Sequence, residues 1–115
     1  MRSRWRADRG SVVAEFAIAL PAILFVFLAL MAGIQLGSAA VRLSDAAADA
    51  ARGFARGEAS SVVAAHLAVQ VPGATLARRD DGGLVCAELS LTPSGVGGLL
   101  GVRLEARSCA LAGGL

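Results

Sequence analysis

Apolar residues divide the chain into an uninterrupted run near its start, a stretch with helical spacing and a final stretch that alternates. No charged residue lies between Phe16 and Val41. The 19 residues of FAIALPAILFVFLALMAGI within this run are close to the ~20 that an α-helix needs to cross the hydrocarbon core of a bilayer. The run therefore predicts one membrane-spanning helix, and no later apolar stretch is long enough to predict a second.

The stretch after the span keeps a helical period on two faces. Apolar residues recur at steps of four, three and four: Leu43, Ala47, Ala50 and Phe54. Charged residues fill another face: Arg42, Asp45, Asp49, Arg52 and Arg56. This pattern is typical of an amphipathic helix, and two of its charge pairs, Arg42 with Asp45 and Asp49 with Arg52, are spaced to meet across one turn. Continuous with the span, the helix is predicted to run from about residue 12 to about residue 56, with weak points at Pro21 and Gly53.

A shorter helix is predicted in ASSVVAAHLAVQV, residues 59–71, before Pro72 and Gly73 end it. Val62, His66 and Val69 fall on one face of this helix. His66 is the only histidine, and no acidic or cysteine residue is spaced to join it in a metal or catalytic site. We therefore interpret it as a helix-surface residue.

The last third of the chain changes to a period of two, which is the period of a strand. One face of LVCAELSL is apolar and the other carries Cys86, Glu88 and Ser90: the apolar residues are Val85, Ala87, Leu89 and Leu91. VRLEARSCAL alternates in the same way. One face carries Val102, Leu104 and Ala106, and the opposite face carries Arg103, Glu105, Arg107 and Cys109. The turn signal DDGG at residues 80–83 predicts that ATLARR pairs with LVCAEL as a third strand.

These elements together predict an α+β fold. It consists of one long N-terminal helix, whose first half spans the membrane and whose outer half is amphipathic, a short second helix and a small antiparallel sheet of two to three strands. Phe54 is the only aromatic residue after the span, so we expect the core of the head to be thin.

Two cysteines are present, Cys86 and Cys109, and both fall on the polar faces of their strands. If they pair, an antiparallel register whose paired residue numbers sum to 195 also sets Glu88 across from Arg107. This agreement favours a disulfide-linked pair of strands joined by the long glycine-rich loop TPSGVGGLLG. The bridge would contribute ~2–4 kcal/mol to the stability of the head. The alternative is two free thiols in a cytosolic protein.

Charge gives the direction of the span. The leader MRSRWRADRG carries four arginines against Asp8, a formal charge of +3, and the whole chain carries +2, so that residues 11–115 hold −1. Positive flanks stay on the cytoplasmic side, which predicts a single-pass protein of the cell membrane with a cytoplasmic N-terminus and an extracytoplasmic C-terminus. No basic surface for nucleic acid remains once the leader is set aside.

The sequence contains no pattern that predicts an enzyme. A CxxC motif, a metal-ligand set, a phosphate-binding loop and a nucleophile elbow are all absent from it. We therefore expect a non-enzymatic protein with no cofactor, no metal and no small-molecule substrate.

Glu15 is a carboxylate at the start of the apolar run, where a charge is costly and therefore suggests a function. It lies in RGSVVAEFAIALP, in which Gly10 and Ser11 are followed by Glu15 and Phe16. One interpretation is that Glu15 sits among the headgroups and stabilises the N-terminus of the helix through its dipole. Farther along, Ala29, Gly33 and Gly37 recur at a spacing of four, which either forms a close-packing helix face or reflects an Ala- and Gly-rich composition: both interpretations stay open.

The segment RGSVVAEFAIALP contains glycine, serine, glutamate, phenylalanine and proline in that order. It resembles the processing region of type IV pilin-like proteins, and most closely that of the TadE-like proteins of the tight-adherence (Tad/Flp) pilus. The resemblance covers about residues 9–51. It implies a minor pilin or pseudopilin that prepilin peptidase cuts between Gly10 and Ser11. It also implies that the new Ser11 amine and Glu15, beside Phe16, set the register of subunits during assembly.

The expected organisation and partners follow from this resemblance. Residues 1–10 are the removed leader, 11–41 the transmembrane and assembly helix, 42–58 its outer continuation and 59–115 the extracytoplasmic head. The expected partners are the membrane, prepilin peptidase, other pilin subunits and pilus-assembly membrane proteins, and the mature chain is either membrane-bound or incorporated in the pilus.

Two alternatives use the same apolar run differently. A secreted protein would be cut by signal peptidase near Gly37-Ser38-Ala39, although the run is longer than the usual h-region. An uncleaved single-span accessory subunit would keep Trp5 and the arginine leader.

Overall fold

The computed structural model describes residues 2–113, with side chains from residue 9 onward. In order along the chain, the elements are α1 (Arg2–Ala55), α2 (Ser60–Gln70), β1 (Thr75–Asp81), β2 (Leu84–Leu91), α3 (Val96–Leu99) and β3 (Leu104–Leu111). The predicted α+β fold is confirmed, including the second helix and a sheet of three strands.

Helix α1 begins earlier than the sequence predicts. It already includes Arg2, so Gly10 and Ser11 lie inside the helix, and it continues through both predicted weak points, Pro21 and Gly53. Proline can be accommodated because a helix passing it loses one backbone hydrogen bond while the surrounding turns continue. At Gly53 a Cβ would lie 3.2 Å from Val63 Cγ2, so the glycine permits close packing of α2.

Contacts divide the chain into two units, residues 1–34 and 35–115. The described part of the first unit is helix alone. Its most apolar 18-residue window has a mean hydropathy of 2.6, and no residue of that window is buried within the chain. By length and composition α1 is thus one candidate membrane span.

The second unit has a core of small and aliphatic residues around Phe54. The predicted apolar stripe on α1 is buried and is wider than predicted, because Ala46 and Ala51 join it. Two further elements and the turn after α2 complete the core: Val63 and Leu67 of α2, Val71 of the turn, and Val85, Ala87 and Leu89 of β2. Alanine on α1 lets neighbouring backbones approach closely, so a core with a single aromatic residue can still be well packed.

Each end of helix α2 lies within one residue of its predicted position. The face that carries Val62, His66 and Val69 is exposed. Val62, His66 and Val69 all contact solvent, whereas Val63 and Leu67 are buried. Nearly every position of this helix is apolar or small, so its sequence contains two equally apolar faces. Packing against α1 selects one of them.

The sheet has the order β1-β2-β3 and both pairings are antiparallel. Cys86 pairs with Cys109 and Glu88 with Arg107, which confirms the register predicted from the residue numbers. The β1–β2 hairpin turns at Gly82 and Gly83, with φ of 56° and 90°. Two consecutive positive φ values are those of a type I′ turn, which explains why two glycines occur here.

The β2–β3 connection differs from the glycine-rich loop that the sequence predicts, because it contains the short helix α3. Gly97 of α3 is buried, and a Cβ there would lie 2.7 Å from Leu36 Cδ2 of α1. The connection therefore packs against α1 within the second unit.

Candidate processing and assembly site

The predicted processing bond joins Gly10 to Ser11. Both residues are exposed, and a Cβ on Gly10 would meet nothing within 4 Å. Their backbone is helical, whereas a peptidase needs extended backbone around the bond that it cuts. A peptidase that cuts this bond must therefore open the helix locally, and the bond is sterically accessible for that.

Glu15 and Phe16 are exposed on the next turn of α1. Glu15 is four residues after Ser11, which in a helix puts the two side chains on one face about 5–6 Å apart at Cβ. Among the side chains of residues 9–113 that the structure describes, no ion pair includes Glu15. Because Glu15 is exposed, its carboxylate can accept hydrogen bonds from a cation or an amine.

Ala29, Gly33 and Gly37 recur at a spacing of four along the sequence of α1. All three are exposed, and a Cβ at either glycine would meet nothing within 4 Å. Their use as a packing face for another helix stays a prediction.

The disulfide lies on the face of the sheet opposite the core. Cys86 Sγ and Cys109 Sγ are bonded at 2.02 Å, which confirms the expected bridge. Cys86 is 1% exposed although it lies on the polar face, because the bonded cysteine and the Arg107 side chain, 3.6 Å from its Sγ, cover it. The bridge fixes β3 to the central strand.

Glu88 is the centre of a charged cluster on that same face. Its Oε1 lies 3.5 Å from Arg79 Nε on β1 and 3.8 Å from Arg107 Nε on β3. The strand register predicted from the sequence placed Arg107 across from Glu88 but did not predict a contact with Arg79. The β1–β2 register pairs Arg79 with Cys86, which brings it close to Glu88. The cluster joins all three strands, and since its members are half-exposed we expect each pair to contribute at most ~1 kcal/mol.

A second arginine missed by the sequence analysis lies on the core side of β1. The guanidinium carbon of Arg78 is 5.4 Å from the centre of the Phe54 ring. A cation over an aromatic face is favourable, and it covers the edge of the thin core.

A shallow polar groove runs between α1 and α2. Asp49 Oδ1 accepts from Arg52 Nη1 at 3.1 Å, as the sequence predicts, and Asp49 Oδ2 accepts from Gln70 Nε2 at 3.3 Å. His66 lines the groove and is exposed, as expected. Within the described residues, no three His, Cys, Asp or Glu side chains come together as a metal site.

The described residues thus combine one candidate membrane helix with a small disulfide-linked α+β head. The family model described as "TadE-like protein" matches residues 10–52. The match confirms the resemblance seen in the sequence over residues 10–52, which include Gly10, Glu15, the candidate span and most of the amphipathic part of α1. No curated protein and no solved structure matches the chain.

Proposed function

We propose that this chain is a non-enzymatic minor pilin or pseudopilin that takes part in assembly of a tight-adherence type IV pilus. The single observation that carries the proposal is the TadE-like match, which begins at Gly10 and so includes the residue before the proposed cut. The exposed apolar surface of α1 supports it, because such a helix needs either lipid or other helices around it.

In this proposal prepilin peptidase removes residues 1–10 on the cytoplasmic side and leaves Ser11 as the new N-terminus. The α-amino group of Ser11 has a reference pKa of about 7.7–8.0, so it is mostly cationic at neutral pH. Glu15 accepts this cation, either its own or that of a neighbouring subunit. An unpaired charge at this depth is costly, so the pair selects the subunit register.

The apolar part of α1 then packs against other pilin subunits or membrane assembly proteins, and the head faces the outside. Its disulfide suits an oxidising compartment.

The experiment that tests the proposal is an intact-mass and N-terminal sequence measurement on membrane-extracted chain, made without reductant, from cells with and without prepilin peptidase. We expect a start at Ser11 that depends on the peptidase, with a mass two hydrogens below the dithiol form. A start near Ala40 would instead identify a secreted protein. An intact arginine leader in both strains would identify an uncleaved membrane subunit.

The role of Glu15 has its own test in the substitution Glu15→Gln, which keeps the shape and removes the charge. We expect normal cleavage and membrane insertion but a severalfold lower yield of sheared surface pili. Glu105→Gln is the matched control, because Glu105 is exposed on β3 and has one loose ion pair, 3.7 Å from Arg103. Equal pilus yields from the two variants would show that the Glu15 charge has no function in assembly.

A further inference from the structure

The connection between β2 and β3 presents an apolar surface, which we call the α3 segment and define as residues 95–101. Val96, Leu99 and Leu100 are exposed, and Leu99 is the most exposed large apolar residue of the described chain at 87%. No charged residue occurs from Leu89 to Val102. An apolar tip of this kind is unfavourable in water and indicates a contact that a single chain does not supply.

The position of the α3 segment along α1 identifies that contact. Buried Gly97 lies against Leu36 of α1. Leu36 belongs to the uncharged run and lies six residues before Arg42, the first charged residue after that run. The run from Phe16 holds 26 residues, and the hydrocarbon core takes about 20 of them. Leu36 therefore lies where the hydrocarbon core gives way to the headgroup region.

The backbone of the α3 segment is suited to that environment. The Leu99 N–H donates to the Gly95 carbonyl at 3.1 Å, Leu100 N–H to Val96 at 3.0 Å and Val102 N–H to Gly97 at 2.9 Å. Gly95 and Gly101 close the turn with φ of 81° and 74°. Backbone groups that are already paired avoid the cost that unpaired groups incur near lipid.

We propose that the α3 segment is seated in the membrane interface on the head side of the bilayer, with Val96, Leu99 and Leu100 in contact with lipid. Lipid is the occupant that the position favours, because the interface surrounds α1 at this level whatever else the chain binds. The contact gives the head a second attachment to the membrane beside α1. The proposal depends on the proposed function only in that α1 spans a bilayer.

Tryptophan fluorescence in proteoliposomes tests this placement. The full chain carries a single tryptophan, so Trp5→Phe provides a background without that fluorophore. Three variants are made in it: Leu99→Trp, Val69→Trp and Phe27→Trp. Each is reconstituted at a low protein-to-lipid ratio in phosphatidylcholine–phosphatidylglycerol vesicles that contain lipids brominated near the headgroup or near the chain ends.

Val69 is the matched control for Leu99. It is also apolar and 83% exposed, but it precedes Gln70, which bonds to Asp49 of α1. Asp49 is 13 residues beyond Leu36, which at 1.5 Å per residue is about 20 Å along the helix. Phe27 lies in the middle of the apolar run and reports whether the span itself is inserted.

We expect the Leu99→Trp chain to show blue-shifted emission and stronger quenching by bromines near the headgroup than by bromines near the chain ends. The Val69→Trp chain should be unquenched, and the Phe27→Trp chain should be quenched most by the deep bromines. If Phe27→Trp is quenched but Leu99→Trp behaves like Val69→Trp, the interfacial placement of the α3 segment is wrong, while the membrane insertion of α1 is supported. A blue shift at position 99 without quenching would mean that protein covers the segment. No quenching of Phe27→Trp would refute the membrane span and this proposal with it.

Discussion

Phe54 is 3% exposed and is the only aromatic residue among the last 74 of the chain. Alanines occupy much of the surrounding core, so few neighbouring side chains can move to fill the space that its removal leaves. We therefore predict that Phe54→Ala destabilises the head by ~3–5 kcal/mol, near the whole stability of a small domain. Hydrogen exchange of the β2 amides, measured by mass spectrometry in detergent, reports the loss, because these amides exchange only when the head opens.

The control for this residue is Val69→Ala, which shortens an exposed side chain on α2 by a similar chemical change. Its β2 exchange should match that of the unchanged chain. Phe54→Leu keeps much of the volume and should fall between the two. If Phe54→Ala exchanged as slowly as Val69→Ala, the core would not depend on the ring.

At the scale of elements, the β2–β3 connection depends on two adjacent glycines that differ in what surrounds them. A Cβ on Gly98 would collide with the backbone carbonyl oxygen of Pro93, which cannot move without the turn. A Cβ on Gly97 would meet side-chain atoms only, Leu36 Cδ2 at 2.7 Å and Pro93 Cγ at 3.0 Å, and the nearer of the two can rotate away. We predict that Gly98→Ala opens α3 more than Gly97→Ala does, measured as faster amide exchange in residues 96–102.

Gly37→Ala is the control for the effect of the methyl group itself. It lies inside α1 where a Cβ meets nothing within 4 Å, so the substitution should stabilise the helix by about 0.5–1 kcal/mol. Faster exchange in Gly97→Ala than in Gly98→Ala would contradict the geometry around Pro93.

Elements with a strong period could be predicted from the sequence, and elements held by contacts could not. The stripe from Leu43 to Phe54 and the sheet register follow from apolar spacing and from the pairing of Cys86 with Cys109. Helix α3 was missed because GVGGLL has no period and low helix propensity, and contact with Leu36 holds it in place. For the same reason no pattern indicates that Arg78 lies over Phe54 or that Arg79 joins Glu88.

The candidate site divides in the same way. Gly10, Ser11 and Glu15 could be proposed as a processing motif from their order and spacing alone, because such a motif is bound by another protein and needs no partner within the chain. That their backbone is helical could not be predicted, since the glycine and the charge both argue for a helix start near Ser11.

For the molecule as a whole, the disulfide provides a test of the proposed membrane topology. The leader has four arginines, and the other flank of the candidate span has three, at positions 42, 52 and 56. If the leader arginines are replaced with glutamine, the only basic residues near the span are those on its other flank. This reverses the bias that orients a span. We predict that a fraction of this variant keeps its head in the cytoplasm, where reducing conditions leave Cys86 and Cys109 as thiols.

Alkylation of intact cells with a membrane-permeant maleimide, followed by mass measurement, counts those thiols. The unchanged chain should carry no label and the leader variant should carry two labels in part of its molecules. Changing the three outer arginines to glutamine is the matched control: it removes basic residues from the other side, strengthens the original bias and should leave the chain unlabelled. Since Cys86 is buried and the bridge closes a 23-residue separation, a head that folds outside has no reason to keep free thiols. A leader variant without label would therefore mean that something other than the arginines orients the span.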